Sequence, residues 1–95
     1  MRILKYILLF DKTVNCENGF YVVASVELPN LCNILSCQMQ NRDVVIWVEV
    51  PDTTLDIHFD NFYIFPTGVQ TPILEELEYL TTLQNDNLVW HVYKE

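Results

Sequence analysis

The clearest pattern of apolar and polar residues in the chain runs from Asn33 to Pro51, NILSCQMQNRDVVIWVEVP. Apolar and polar side chains alternate on both sides of a short polar turn, which predicts two paired strands. One face is expected to be apolar and covered, and it contains Leu35, Cys37, Met39, Val44, Ile46, Val48 and Val50. The other face carries Ser36, Gln38, Gln40, Trp47 and Glu49. A two-residue turn keeps both faces intact and pairs Met39 with Val44 or Ile46, whereas a three-residue turn would mix the faces.

Two further strands are expected before this hairpin. Ile3–Phe10 is short, mostly apolar and followed by Asp11, which predicts a buried or edge strand. Lys12–Gly19 is polar and ends in Asn-Gly, the strongest short turn signal in the chain. The alternating segment Phe20–Leu28 follows at once and predicts a second strand, which Pro29 ends.

The C-terminal part of the chain predicts a fifth extended stretch and a final strand. The stretch begins at Leu55 and has a break near Asp60 and Asn61 that we interpret as a bulge. A loop at residues 66–68, Pro-Thr-Gly, closes it. The last strand, Leu88–Tyr93, follows a polar turn and belongs to a final hairpin.

A short helix is expected between these two elements. Thr71 followed by Pro72 is typical of a helix start, with threonine as the N-cap and proline at the first helical position. Glu75 and Glu76 would lie near the positive end of the helix dipole. The apolar side of this helix is expected to contain Ile73, Leu77 and Leu80. Since it has only about two to three turns, packing must hold it.

Together these elements predict one domain over residues 1–95 of mainly β (α+β) class. Adjacent strands are expected to pair as antiparallel hairpins, and the one short helix is expected to close one end. The pattern leaves open whether the small antiparallel sheet becomes a sandwich or a partly closed barrel.

Composition narrows the possible partners. The chain is 51% hydrophobic, which is typical of a folded globular domain. Thirteen Asp and Glu against five Lys and Arg give a net charge of −8, which disfavours non-specific nucleic-acid binding because phosphate contacts need clustered cations. A few cations gathered by folding could still hold one small anionic ligand.

Cysteine usage and apolar runs indicate the compartment. The three cysteines form no CxxC pair and are odd in number, so we expect free thiols and a cytoplasmic protein. Their spacing, with His58 and His91, does not predict a metal site, and no cofactor is expected. The N-terminal run ILKYILLF is short, contains Lys5 and lacks a small-residue cleavage site, so it does not predict a signal peptide. No run is long enough to predict a membrane span.

Four segments carry a likeness to known proteins: NILSCQMQN, the Trp47 strand, PTG at residues 66–68, and the terminal LVWHVYKE. Together they resemble a family of small uncharacterised phage and prophage proteins with an ILSxQxQN segment, a Trp-containing strand, a GTG loop and a terminal LVxHV strand. The resemblance covers Ser25 to the C-terminus. Here Pro66 replaces the first glycine of the loop, and Val69 stands where a histidine is common. The resemblance implies a phage origin and a small accessory role.

The candidate site residues favour binding over catalysis. Asp56 and Asp60 are paired carboxylates in polar surroundings, and no nucleophile, phosphate-loop or metal motif is present, so we do not expect an enzyme. The expected ligand-binding residues are Gln38, Gln40, Arg42, Trp47 and His91. Amides supply donors and acceptors, an indole can stack on a base, and a guanidinium can hold a phosphate. The alternative is that the hairpin residues are covered and hydrogen-bonded to neighbouring backbone, and that His91 is structural or exposed.

Two functions fit this pattern. The first is a phage accessory protein, in the host cytoplasm, that sequesters a small cyclic nucleotide immune signal and thereby blocks antiviral defence. Such a sponge needs abundance and affinity but no catalytic group, and a homo-oligomer could supply contacts from two chains. The second is an acidic nucleic-acid mimic that inhibits a host defence complex such as a CRISPR effector, with Glu75, Glu76 and Glu78 on a helix surface.

Overall fold

A computed structural model of the chain describes residues 1–53, 56–69 and 76–95. The strands in this part are β1 (Arg2–Ile7), β2 (Lys12–Cys16), β3 (Gly19–Pro29), β4 (Asn33–Gln40), β5 (Asp43–Val50), β6 (Ile57–Pro66), β7 (Glu78–Asn85) and β8 (Leu88–Lys94). They form two antiparallel sheets, with strand orders β1-β5-β4 and β2-β3-β6-β8-β7. The predicted antiparallel, mainly β fold is confirmed, and the described strands do not close into one barrel.

The central hairpin is β4 and β5, joined by a two-residue turn as predicted. Met39 pairs with Val44. Asn41 and Arg42 both have positive φ angles, 50° and 72°, as the preferred two-residue hairpin turn requires. The prediction for Leu35 was wrong, because a register shift between Ile34 and Ser36 turns it outward and leaves its side chain 50% exposed. Ile34 packs against the core in its place.

The N-terminal strands differ from the prediction at their ends. β1 stops at Ile7, and both Leu9 and Phe10 are exposed. Lys12–Cys16, expected only as a polar connection, is a strand that pairs with the start of β3. Its single strongly apolar residue, Val14, gave too weak an alternation to predict a strand from sequence.

β6 is one continuous strand without the predicted break. Asp60 pairs with Val26 and Asn61 with Ser25, and the β3–β6 register runs without a shift. The two polar residues therefore belong to the ladder and do not form a bulge.

The described residues contain no helix, so the helix prediction was wrong for its C-terminal part. Glu78 and Leu80 lie in β7, which pairs with β8 along its length. Tyr79, Thr81 and Thr82 favour a strand, and pairing with β8 overrides the local helix start signal. The predicted cap residues Thr71 and Pro72, together with Ile73 and Glu75, lie outside the described residues.

One core lies between the two sheets. The three-stranded sheet contributes Cys37, Val44, Ile46, Val48 and Val50. The five-stranded sheet contributes Val22, Ala24, Val26, Leu28, Phe62, Ile64, Leu83, Trp90 and Val92. These positions alternate along each strand with outward residues, so each sheet keeps an outer face that is available for chemistry.

Candidate functional site

The outer face of the three-stranded sheet gathers three of the five predicted ligand-binding residues, Gln38, Gln40 and Trp47. Trp47, in the central strand β5, has Lys5 of β1 and Ser36 of β4 as its direct cross-strand neighbours. Gln38 and Gln40 follow on the same side of β4. Direct neighbours in a sheet have Cβ atoms about 4.5–5.5 Å apart, so Lys5 and Ser36 flank Trp47 at that spacing. We call Lys5, Ser36, Gln38, Gln40, Val45 and Trp47 the Trp47 face.

A hydrogen bond crosses this face from one edge strand to the other. Lys5 Nζ donates to Gln40 Oε1 at 2.9 Å. Lys5 is the cross-strand partner of Trp47, whereas Gln40 is the cross-strand partner of Asp43. The bond therefore passes over Val45, the outward residue of β5 between Asp43 and Trp47. Val45 is only 1% exposed although it points away from the core. The ammonium group is thereby held above Val45, next to the Gln40 amide.

The amide groups on this face have side-chain partners. Gln38 Nε2 donates to Ser36 Oγ at 2.8 Å, and Gln40 accepts from Lys5. Sequence reasoning offered backbone groups as the alternative partners, whereas these hydrogen bonds join side chains. Trp47 is half-buried between its neighbours. The face is therefore ordered by its own contacts, with a cation, an amide pair and an indole side by side.

Arg42 lies at the tip of the hairpin, at one end of the Trp47 face. It is exposed and lines a groove of about 280 Å³ with Leu8, Leu9 and Phe10. Its φ of 72° is in the left-handed region, which a non-glycine residue occupies at a cost of about 1–3 kcal/mol. The two-residue turn requires this φ, and it leaves the Arg42 side chain exposed at the end of the Trp47 face.

Replacing Arg42 by glycine should stabilise the fold. Asn-Gly is the preferred sequence for this turn, so the Arg42→Gly variant should gain about 1 kcal/mol, or about 4–8 °C in Tm. Thermal unfolding followed by circular dichroism measures the change. Arg42→Ala is the control, since alanine removes the guanidinium but keeps the strain. Equal Tm values for the two variants would contradict the strain argument.

His91 lies on the other sheet, away from the other predicted site residues. Its neighbours in β8, Trp90 and Val92, face the core, so His91 faces outward from the five-stranded sheet. Its Nε2 is 2.7 Å from Thr67 Oγ1, and its Nδ1 is 3.1 Å from Thr82 Oγ1. The imidazole is thus fixed between two hydroxyl groups, and the structure does not bring it to the Trp47 face.

Beside His91, the outer face of the five-stranded sheet carries a row of aromatic residues that sequence reasoning missed. The row consists of Tyr21, Tyr63, Phe65, Tyr79 and Tyr93, whose neighbouring ring centroids are 5.0–6.4 Å apart. Tyr63 donates a 2.7 Å hydrogen bond to Glu95 Oε2, which, with burial, raises the pKa of Tyr63 to about 12. The members of the aromatic row are spread over four strands, so only the strand order shows that they lie together.

A cavity of about 320 Å³ opens where the two sheets approach each other at β4 and β7. Within it, Asp60 Oδ2 is 3.2 Å from His58 Nε2 and 3.5 Å from Lys94 Nζ. Burial first, and then the Asp60 carboxylate, raises the pKa of the Cys32 thiol, which disfavours the nucleophilic thiolate. With Glu78 also in the lining, the charges pair within the protein and do not favour a phosphate.

Lys5 is the site residue that sequence reasoning missed on the Trp47 face. Alternation in ILKYI places Lys5 on the other face of its strand from Leu4 and Tyr6, which indicated an outward cation. Its position next to Trp47 depends on the pairing of β1 with β5, which joins residues 38 to 48 apart in sequence. Local pattern alone could not supply that pairing.

The fold and this face define an all-antiparallel, two-sheet protein with a polar aromatic surface on the smaller sheet. The chain belongs to the family described as Domain of unknown function (DUF7352), whose model matches residues 1–95. No curated protein and no solved structure matches the chain. In the described part of the chain, no helix has the length and apolar character needed to cross a membrane. The same residues contain no cluster of three or more His, Cys, Asp or Glu suited to a metal ion.

Proposed function

We propose that the protein is a non-catalytic binding protein that sequesters a small nucleotide on the Trp47 face. The observation that carries the proposal is that Lys5 is the direct cross-strand neighbour of Trp47 and that its ammonium group is held on the same face by Gln40. In a chain of net charge −8 with five Lys and Arg, a cation with a fixed partner thus shares a sheet face with an outward indole.

Each group on the face has a matching part in a nucleotide. A base stacked on an aromatic side chain contributes about 1–3 kcal/mol. Lys5 can form a charge-assisted hydrogen bond to a phosphate, and Arg42 at the end of the face can add a bidentate contact. The amide of Gln38 offers donors and an acceptor to a base edge.

The overall charge favours a small ligand over a polymer. A polyanion would meet the net charge of −8 along its whole length, whereas one or two phosphates meet only a small area, where Lys5 and Arg42 stand near the outward acids Asp43 and Glu49. The resemblance to phage proteins adds the context, in which the ligand is a cyclic nucleotide immune signal and its capture blocks antiviral defence. Capture needs only affinity and abundance, because binding lowers the free ligand concentration by mass action.

The acidic nucleic-acid mimic has less support from the geometry. It required Glu75, Glu76 and Glu78 on one helix surface, and Glu78 instead lies in β7. Glu75 lies outside the described residues. The nucleotide proposal is therefore the one to test first.

Calorimetric titration against a panel of cyclic dinucleotides, cyclic trinucleotides and cyclic ADP-ribose isomers tests the proposal. We expect submicromolar binding of at least one compound. Trp47→Ala should weaken that binding about 5- to 150-fold, the loss of one stacked base. Lys5→Ala should weaken it by about 10-fold or more and reduce its salt dependence.

Lys12→Ala is the matched control, because Lys12 is an exposed lysine on β2 of the other sheet. The Lys12→Ala variant should bind the cyclic nucleotide with the same affinity as the wild type. Binding that survives both Trp47→Ala and Lys5→Ala would move the site elsewhere, with His91 and the aromatic row as the next region to test. Silence across the whole panel would reject the nucleotide and favour capture of a host protein.

A further inference from the structure

Among the described strands, β1 forms an edge of the three-stranded sheet with no strand paired on its outer side. In the order β1-β5-β4, the two edges of the small sheet are β1 and β4. β4 lies against β7 of the other sheet, whereas among the described strands β1 pairs with β5 alone. An edge strand offers unpaired N–H and C=O groups to another strand.

The backbone of β1 presents these groups at known positions. Leu8 N–H donates to the Val44 carbonyl at 2.8 Å, and the β1–β5 register runs without a shift. The even-numbered residues therefore exchange hydrogen bonds with β5, and the N–H and C=O groups of Ile3, Lys5 and Ile7 point to the open edge.

The side chains along this edge are unusually apolar for an exposed strand. Ile3 is 57% exposed and Ile7 is 43% exposed, with Met1 exposed beyond them. Proteins often protect an edge with a lysine, and Lys5 is at the centre of this one. Here the hydrogen bond to Gln40 draws the lysine side chain across β5, away from the edge. The edge is left open to pairing.

From these observations we infer that β1 pairs antiparallel with β1 of a second copy, joining two small sheets into one six-stranded sheet. The two-fold axis passes through Leu4, so that Leu4 faces Leu4 of the second copy and Lys5 faces Ile3 of the second copy. Both chains keep their inward and outward faces in this register. The symmetric contact uses the β1 edge of both chains and closes the assembly.

Charge and register favour a second copy as the occupant. β1, RILKYI, has two cations and no acid, so two chains of net charge −8 that meet along it keep their acidic residues out of the strand pairing. Two β1–β1 registers keep the inward and outward faces of both chains and pair all but one residue of the strand. The first is centred on Leu4 and the second on Lys5. The second places Lys5 directly opposite Lys5 of the second copy, which is destabilising. In the first, every charged side chain faces an uncharged one.

Sedimentation over a range of concentrations tests the inference, with the wild type expected at twice the 11.2 kDa chain mass. Ile3→Pro removes an N–H that points to the open edge and none that bonds β5, so it should give a folded monomer. Ile3→Lys places a charge opposite Lys5 of the second copy and should also dissociate the dimer. This variant provides the test if the proline variant does not fold. Ile3→Val is the matched control and should remain dimeric. A monomeric wild type at all concentrations overturns the inference.

Cysteine cross-linking tests the register itself. In the Leu4-centred register, Leu4→Cys brings two Cα atoms to about 4.5 Å, within the range for a disulfide. Oxidation of Leu4→Cys should therefore give a covalent dimer, with the wild type as the blank for its own three cysteines. Cross-linking of Lys5→Cys but not of Leu4→Cys would overturn the proposed register. Ligand binding by a monomer would leave the nucleotide proposal standing while rejecting this interface.

Discussion

Replacing Phe62 by alanine should lower the free energy of unfolding by about 3–5 kcal/mol. Phe62 is 0% exposed and lies in β6, near the centre of the five-stranded sheet. Its direct neighbours in the ladder are Ala24 and Lys94. Ala24 is small, and β6 is paired on both sides, with β3 and with β8, so the surroundings cannot collapse into the space that the ring leaves.

Phe59 provides the matched control, since it is a phenylalanine of the same strand with 70% of its side chain exposed. Phe59→Ala should change stability by less than about 0.5 kcal/mol. Urea unfolding of both variants measures the difference. Because a small domain has only about 5–15 kcal/mol of stability, Phe62→Ala should also lower Tm strongly. Similar losses for the two variants would contradict the placement of the core between the sheets.

The central hairpin could be predicted because everything that defines it is local. Alternation on both strands, a turn that accepts positive φ, and the need to keep one face apolar fix the pairing of Met39 with Val44. The exception is Leu35, where a register shift changes the side that the residue faces. A bulge of this kind leaves no clear sign in the alternation.

Each of the two missed strands forms a tight hairpin with the next strand along the chain, and weak or competing local signals hid it. Lys12–Cys16 is a strand because β3 offers it an edge. Glu78–Asn85 is a strand because β8 pairs with it, although Thr71 and Pro72 upstream are typical of a helix start. Propensity is a weak predictor where tertiary pairing competes with it.

The candidate site, like the fold, was predictable only where it depends on local sequence. Gln38, Gln40 and Trp47 share a face because they belong to one hairpin, and strand period places them together. Lys5 joins them only through the β1–β5 pairing. His91 could be placed on a strand but not on a sheet, since strand order decides which outer face it shares.

Raising the pH should destabilise the protein through Cys37. This thiol lies in β4 opposite Ile46 and is buried in the core, and burial raises its pKa from 9.0 to about 11. Between pH 9 and 11 the unfolded chain loses the thiol proton while the folded chain keeps it. Since the folded state then binds more protons, stability falls by up to about 1.4 kcal/mol per pH unit. The contribution is fully present below pH 9 and is lost as the pH passes 11, a total on the order of 2–3 kcal/mol.

Urea unfolding at pH 8–11.5, under reducing conditions, measures this loss as the difference between the wild type and Cys37→Ala. Alanine leaves a constant offset from the lost sulfur but has no proton to release, so the difference should change only in this pH range. Tyr63, whose pKa is also raised, is present in both chains and cancels. Cys37→Val is a second reference with more of the original volume. If stability fell in parallel in all three proteins, the alkaline loss would belong to other groups, and the thiol would be less deeply packed between the sheets than the structure shows.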